Sequence, residues 1–229
     1  GVEASLKRLQ TDWLDILYLH HWDDHTAIEE SLSAITTLVE HGKMHYGGVS
    51  NFSAWQTMNA IACARSNGYA PVTCIQPMYN LVKRQAEVEI LPLALHEQLA
   101  VCPYSPIAAG LLTGKYARGE SGRIKDHAMY AERYKRDEYW EIATQFVAYA
   151  NQHGYTPSAL ATRWVIDHPA VTSAIIGARN LDQLNQALES ADFSLTPEQR
   201  AEITALSIDP PLATDREPMK IAMDMLLKK

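Results

Sequence analysis

The chain has 229 residues, 47% hydrophobic and 21% charged, a make-up suited to one globular unit with a sizeable core. Its formal net charge of -7 offers no basic stripe for phosphates, which argues against nucleic acid and an anionic membrane surface as partners. No apolar run approaches the ~18 residues of a membrane span, no secretory leader is visible, and Cys63, Cys74 and Cys102 are odd in number and widely spaced, favouring reduced, buried thiols in a cytoplasmic protein over a disulfide framework or a zinc site.

The chain opens on GVEASLKRLQ, where Val2, Leu6 and Leu9 share one face of an amphipathic helix. There is no initiator Met, and the sequence reads as one entered midway. Residues 13–20 (WLDILYLH) form a continuous apolar run, suited to a strand buried on both faces. Residues 27–40 follow, with Ile28, Leu32, Ile35 and Val39 at helical spacing and Gly42 as terminator. The unit then repeats. Residues 43–49 are strand-like, Ser53 caps a helix to about Asn67, and Gly68 stops it. Residues 72–76 (VTCIQ) predict a third strand, residues 86–98 a helix, and residues 100–104 a fourth strand.

Between Lys115 and Asp137 the order lapses into a polar, glycine-bearing stretch, and residues 116–137 read as a loop of functional length. Residues 173–177 (SAIIG) predict a fifth strand, residues 180–190 a helix, and Thr196 caps a last helix with Pro197 at its first position. Residues 210–229 form a weakly patterned tail. Short strand–helix alternation implies right-handed crossovers and a parallel sheet. The class is α/β in a single domain over residues 1–229. Five strands make either an open doubly wound sheet or a barrel lacking its first strands.

In both folds ligands collect where parallel strands end. Those positions hold His20, His21 and Trp22; Ser50, Asn51 and Phe52; Gln76, Pro77 and Tyr79; Tyr104, Ser105 and Pro106; and Gly177, Ala178, Arg179 and Asn180. The set is rich in uncharged hydrogen-bonding groups. Only Asp23 and Asp24 could supply the paired carboxylates of a two-metal or glycosidase site, and both read more simply as loop residues. Adjacent strand residues point to opposite faces, so His20, His21 and His25 do not readily share one metal ion, and no metal is expected. Ser50, Asn51 and Gln76 could fix a planar carboxamide, and Tyr104 offers a ring for stacking; a nicotinamide wants both. SPIAAGLLTGK supplies small residues through which backbone N–H groups could approach a pyrophosphate, with Lys115 as a point charge. GARN opens a helix whose first amides, with Arg179, suit an anion such as a ribose 2'-phosphate.

The stretches LKRLQTDWLDILYLHHWD, EHGKMHYGGVSNF, IQPMYNL, CPYSPIAAGLLTGKY and SAIIGARNLDQL resemble the aldo-keto reductase family over essentially the whole chain. The long loop resembles its bacterial and potassium-channel-beta-like branch. The resemblance implies a partial (β/α)8 barrel, here about five of eight strands, and reduction of aldehydes and ketones with NADPH, possibly NADH, without metal or flavin. It implies His21 as the active-site histidine that orients and polarises the carbonyl oxygen, with Trp22 and Phe52 in the substrate pocket. Ser50, Asn51 and Gln76 would bind the carboxamide and Tyr104 would stack. Ser105, Pro106, Ile107 and Lys115 would hold the pyrophosphate region, and Arg123, Gly177, Arg179 and Gln183 the adenosine end. The chain departs from the pattern at Ile107-Ala108-Ala109-Gly110, which removes one glycine, and at Gln186 and Ala187, which replace expected adenine contacts. The family's proton-donating tyrosine, with its lysine and aspartate, comes from strands before the helix that opens this sequence. The chain is therefore expected to be an inactive C-terminal portion of a longer reductase. A cofactor-binding regulatory or interaction protein is the alternative. Substrate and oligomeric state are not legible.

Overall fold

The computed structural model describes residues 1–214, which fall into two compact units. One comprises Gly1–Pro77 and Ile90–Cys102; the other comprises Met78–Glu89 and the chain from Pro103 onward. Residues 215–229 of the expected tail lie outside the described residues. Among the described residues no helix is long and apolar enough to cross a membrane.

The first unit runs α1 (Val2–Leu9), β1 (Leu14–Leu19), α2 (Ile28–Glu40), β2 (Met44–Ser50), α3 (Ala54–Asn67), β3 (Val72–Gln76), α4 (Ile90–His96) and β4 (Ala100–Val101). Its four strands pair in parallel in the order β1-β2-β3-β4, with Leu14 opposite Met44, Ser50 opposite Gln76 and Cys74 opposite Ala100. Parallel neighbours joined through helices are what a partial (β/α)8 barrel supplies. Leu32, Ile35, Met44, Val49, Ile75, Leu91 and Val101 are buried in its core.

The predicted helix ends hold here. Ser53 accepts the Gln56 N–H while Gln56 returns the bond to the Ser53 N–H, a complete capping box. Gly68 ends α3 at φ 68°, in the left-handed region that favours glycine. Gly48 answers to a different demand. A Cβ there would lie 2.5 Å from Cys74 Sγ and 2.8 Å from the Tyr18 ring, so only glycine lets these strands carry both side chains. Cys63 and Cys74 are free and buried, as expected, whereas Cys102 is half-buried.

Two expectations about the chain up to β4 are corrected. β1 is not buried on both faces: Asp15 and Ile16 are exposed, because β1 is the edge strand of the described sheet and has a neighbour on one side only. The helix expected over residues 86–98 is broken into a short 3-10 turn, Gln85–Glu87, and α4. Pro92 lacks an N–H and is tolerated only in a first turn, which makes an α-helical start near Ile90 the available solution.

The second unit contains α5 (Arg123–Asp126), α6 (Ala128–Arg133), α7 (Asp137–Gln152), α8 (Pro157–Ile166), α9 (Leu181–Leu188) and α10 (Pro197–Ala205). The expected loop over residues 116–137 thus carries two helical turns. The Tyr116 hydroxyl donates to the Ala109 carbonyl at 2.9 Å and accepts the Ile124 N–H at 3.1 Å, and Tyr134 is fully buried. The expected fifth strand reduces to a single residue. Ile175 makes one parallel bridge to Tyr104 and is 41% exposed, since it gains a partner on one side and little cover. Phe146, Leu160, Trp164 and Ile203 form the unit's core, and α8 is buried nearly all round.

That core holds a charged network. Arg84, 7% exposed, bonds Glu87 through Nε and Nη2 and Asp209 through Nη1. Tyr79 donates its hydroxyl to Glu87 at 2.5 Å and accepts from Arg200 at 3.2 Å. Burial, and then the Glu87 carboxylate, push the Tyr79 phenol well above its ordinary range. His168 lies edge-on to the Tyr79 ring and its Nδ1 accepts the Ala170 N–H at 3.1 Å. Burial first, then the Arg200 charge, lower its pKa to about 4.

Candidate active site

In the first unit the candidate groups stand where strands end. Ser50 closes β2, is 1% exposed, and donates its hydroxyl to the Gln76 carbonyl at 2.9 Å. The next residue, Asn51, turns into the left-handed region at φ 55°, which asparagine tolerates better than most residues. Its Nδ2 donates to Ser50 Oγ at 3.1 Å and to the His20 carbonyl at 3.0 Å. Ser50, Asn51 and Gln76 are therefore brought together. The Gln76 side-chain amide, half-buried, has no hydrogen-bond partner among the described residues, which leaves a donor and an acceptor for a carboxamide.

The two histidines depart from expectation. β1 ends at Leu19, so strand alternation no longer governs residues 20 and 21. Both side chains are exposed, and their rings meet edge to face with centroids 4.3 Å apart. His20 is thus not packed away from His21; it touches it. Trp22 and Phe52, the expected pocket residues, are in edge contact at 5.4 Å, and Trp55 joins them at 5.4 Å from Trp22. Trp55 was not singled out in the sequence, although an aromatic residue two positions after a capping serine is a readable signal.

In the second unit the candidate groups gather on a strained turn. Ser105, Ala108, Ala109 and Gly110 all have positive φ, at 64°, 51°, 55° and 91°. Asn80 holds the turn by donating Nδ2 to the Ser105 carbonyl at 3.0 Å. Two of the expected backbone donors are already used, Ala108 N–H on Ser105 and Gly110 N–H on Ile107, both at 2.9 Å. Pro106 is buried and Ile107 and Tyr104 are half-buried; burial raises the Tyr104 pKa.

Lys115 runs through a slot between two glycines. A Cβ at Gly110 would stand 2.7 Å from its Cε, and one at Gly122 would stand 2.1 Å from its Nζ. Burial first, then the charge of Arg179, lowers the Lys115 pKa, with Arg123 adding to the effect. Lys115, Arg123 and Arg179 form no salt bridge among the described residues. The charges of Glu120 and Asp126 oppose that lowering, yet among the described residues no carboxylate stands at salt-bridge distance from the three cations, an arrangement that could hold an anion. Gln183 is also engaged within its own loop: its Oε1 accepts the Arg179 N–H at 3.0 Å, and its own N–H is capped by Asn180 at 2.9 Å. It shapes the loop that carries Arg179. Gly177 is exposed in that loop.

Gly122, which confines the Lys115 ammonium, lies in the stretch that reads as loop, and only its being a glycine gives a sequence signal. Tyr18, Tyr79, Tyr104, Tyr116, Tyr134 and Tyr149 are all pushed up in pKa, by burial first in each case, which disfavours them as proton donors near neutrality.

The family model described as the aldo/keto reductase family matches residues 1–208. An uncharacterized oxidoreductase of Bacillus subtilis is 34% identical over 86% of this chain and 59% of its own length. Aldo-keto reductase family 7 member A3 of Homo sapiens is 35% identical over 83% of the chain and 63% of its own length. A probable voltage-gated potassium channel subunit beta of Oryza sativa is 32% identical over 94% and 68%. The chain spans about three fifths of the length of the first two relatives. The matched span includes both strand ends bearing Ser50 and Gln76 and the turn bearing Lys115, and the chain belongs to the aldo/keto reductase family.

Proposed function

We propose that this chain carries nicotinamide-nucleotide and substrate groups of an NADPH-dependent oxidoreductase that converts aldehydes and ketones to alcohols. The observation that carries the reading is the cation group of the second unit, where Lys115 is held in its glycine slot beside the charges of Arg179 and Arg123. That donor set suits the phosphates of a dinucleotide, and the half-buried, unpartnered Gln76 amide with Ser50 and Asn51 suits its carboxamide. Nicotinamide, when bound, supplies the hydride. Ser50, Asn51 and Gln76 fix the carboxamide; Tyr104 offers a stacking face; Ser105, Pro106, Ile107 and Lys115 neutralise and orient the pyrophosphate; Arg123, Gly177, Arg179 and Gln183 meet the adenosine end. His21 orients and polarises the carbonyl oxygen, with Trp22 and Phe52 as apolar walls. The proton donor is not assigned to any tyrosine of this chain.

The test separates the phosphates. Arg179→Ala should weaken NADPH roughly 10- to 100-fold, the loss expected for a charge-assisted contact, and leave NADH nearly unchanged. Equal weakening of both removes the assignment. The likeness to the rice channel subunit supports a second reading, a nucleotide-binding regulatory protein; binding of NADPH with no binding of any aldehyde beside it would favour it.

A further inference from the structure

A cavity of about 440 Å³ lies in the first unit, lined by Trp22, Asp23, Asp24, Glu29 and Trp55 among others. It opens in the loop that directly follows His21, and nothing above explains its acidic side or the presence of Trp55. Trp55 stands in the first turn of α3 yet is 63% exposed, so packing gives no reason for an indole there. Its ring meets Trp22 at 62° with centroids 5.4 Å apart, making an aromatic corner. The Trp22 indole is fixed by its Nε1–H, which donates to Asp24 Oδ1 at 2.8 Å; donation to a carboxylate leaves the ring more electron-rich.

The charge around this corner is mainly negative, with His25 the one basic side chain in its wall. No lysine or arginine lines the cavity, and Asp23, Asp24 and Glu29 enter no ion pair among the described residues. The Asp23 carboxylate accepts the Thr26 hydroxyl at 2.6 Å and the His25 N–H at 2.9 Å, and these bonds hold its pKa below the ordinary value. Two indole faces in an electronegative, water-accessible cleft attract a cation by the ring quadrupole and by Coulomb attraction together.

We infer that the Trp22–Trp55 cleft is a subsite for an organic cation, and that the carbonyl compounds handled beside it carry an ammonium or quaternary ammonium group. This rests on the reductase reading for its second half only. A substrate carboxylate is disfavoured there by the same charges.

The test uses a probe with no carbonyl and needs no cofactor. Choline is titrated into this protein by calorimetry, with the tryptophan indole N–H resonances followed by NMR. The control is the uncharged alcohol in which a tert-butyl group replaces the trimethylammonium group. Choline should bind at least about fivefold more tightly than the control, shifting the Trp22 and Trp55 resonances. Trp55→Leu, at an exposed position, and Asp24→Asn should each remove most of that preference while leaving the control's affinity unchanged. Equal affinity of the two alcohols, or no shift at the two indoles with choline in the hundred-millimolar range, overturns the subsite. NADPH and aldehyde binding are scored separately. Choline binding without any NADPH binding keeps the subsite and removes the reductase reading. Binding of NADPH together with equal affinity for neutral and ammonium-bearing aldehydes keeps the reductase reading and overturns the substrate class.

Discussion

The first unit holds its polar groups at the ends of paired strands, and the second holds its cations on a turn of left-handed residues. Ser50 and Gln76 are opposite each other in register, so one hydrogen bond, Ser50 to the Gln76 carbonyl, suffices to align them. Lys115 has no such scaffold. It depends on Gly110 and Gly122 for room and on four consecutive or near-consecutive positive φ values for direction. Regular pairing places a group cheaply; irregular backbone does so only with strain and with buried polar support. The turn has that support in Asn80 and Tyr116, which donate to the Ser105 and Ala109 carbonyls; the second unit also buries Arg84 in its Glu87–Tyr79–Arg200 network, whereas among the described residues the first unit's Arg65–Glu97 pair has an exposed arginine.

Three tests sharpen this contrast, the largest expected effect first. Arg84→Ala strips the half-buried Glu87 of its bidentate partner and should destabilise the protein by about 2–4 kcal/mol. Arg65→Ala in the first unit should cost under about 1 kcal/mol. Urea unfolding of both variants checks the pair, and similar losses would break the contrast.

The second concerns acid. His168 titrates at about 4 when folded and near 6.5 when unfolded. Between these values the unfolded chain binds more protons, so stability rises with pH across that window and is lost as pH falls from about 6.5 to 4. The full effect is about 3 kcal/mol, since each pKa unit is worth roughly 1.4 kcal/mol. Denaturant midpoints measured across that range should fall with acid in the native protein and fall less steeply in His168→Gln. Parallel profiles would show that another group titrates.

The smallest test asks where the units behave alike. Ser53 in the first unit and Thr196 in the second both form complete capping boxes. Ser53→Ala and Thr196→Ala should each cost about 1 kcal/mol, read as equal shifts of the unfolding midpoint. A marked difference would mean that helix ends, too, are weighted differently in the two units.

What could be read from the sequence follows the same division. Strand β3 (Val72–Gln76) and the caps Ser53, Gly68 and Thr196 were legible because each rests on a local rule. The Ser50–Gln76 proximity followed from parallel strands in sequence order. The contact of His20 with His21 did not, because it depends on where β1 stops. Nor did the break before α4, although Pro92 marked it. The charged network spans Tyr79 to Asp209 in sequence, and no periodicity announces a bond of that separation. Lys115 was picked out as a charge on a glycine-bearing stretch, but its confinement by Gly122, in a segment read as loop, required the fold.

That confinement has a consequence for affinity. A surface lysine surrenders up to ~2 kcal/mol of rotamer freedom when it settles on a ligand. Threaded between Gly110 and Gly122, the Lys115 stem has given up that freedom during folding. At the nucleotide site proposed above, an incoming phosphate would meet an ammonium already confined, and more of the attraction between them would remain as binding.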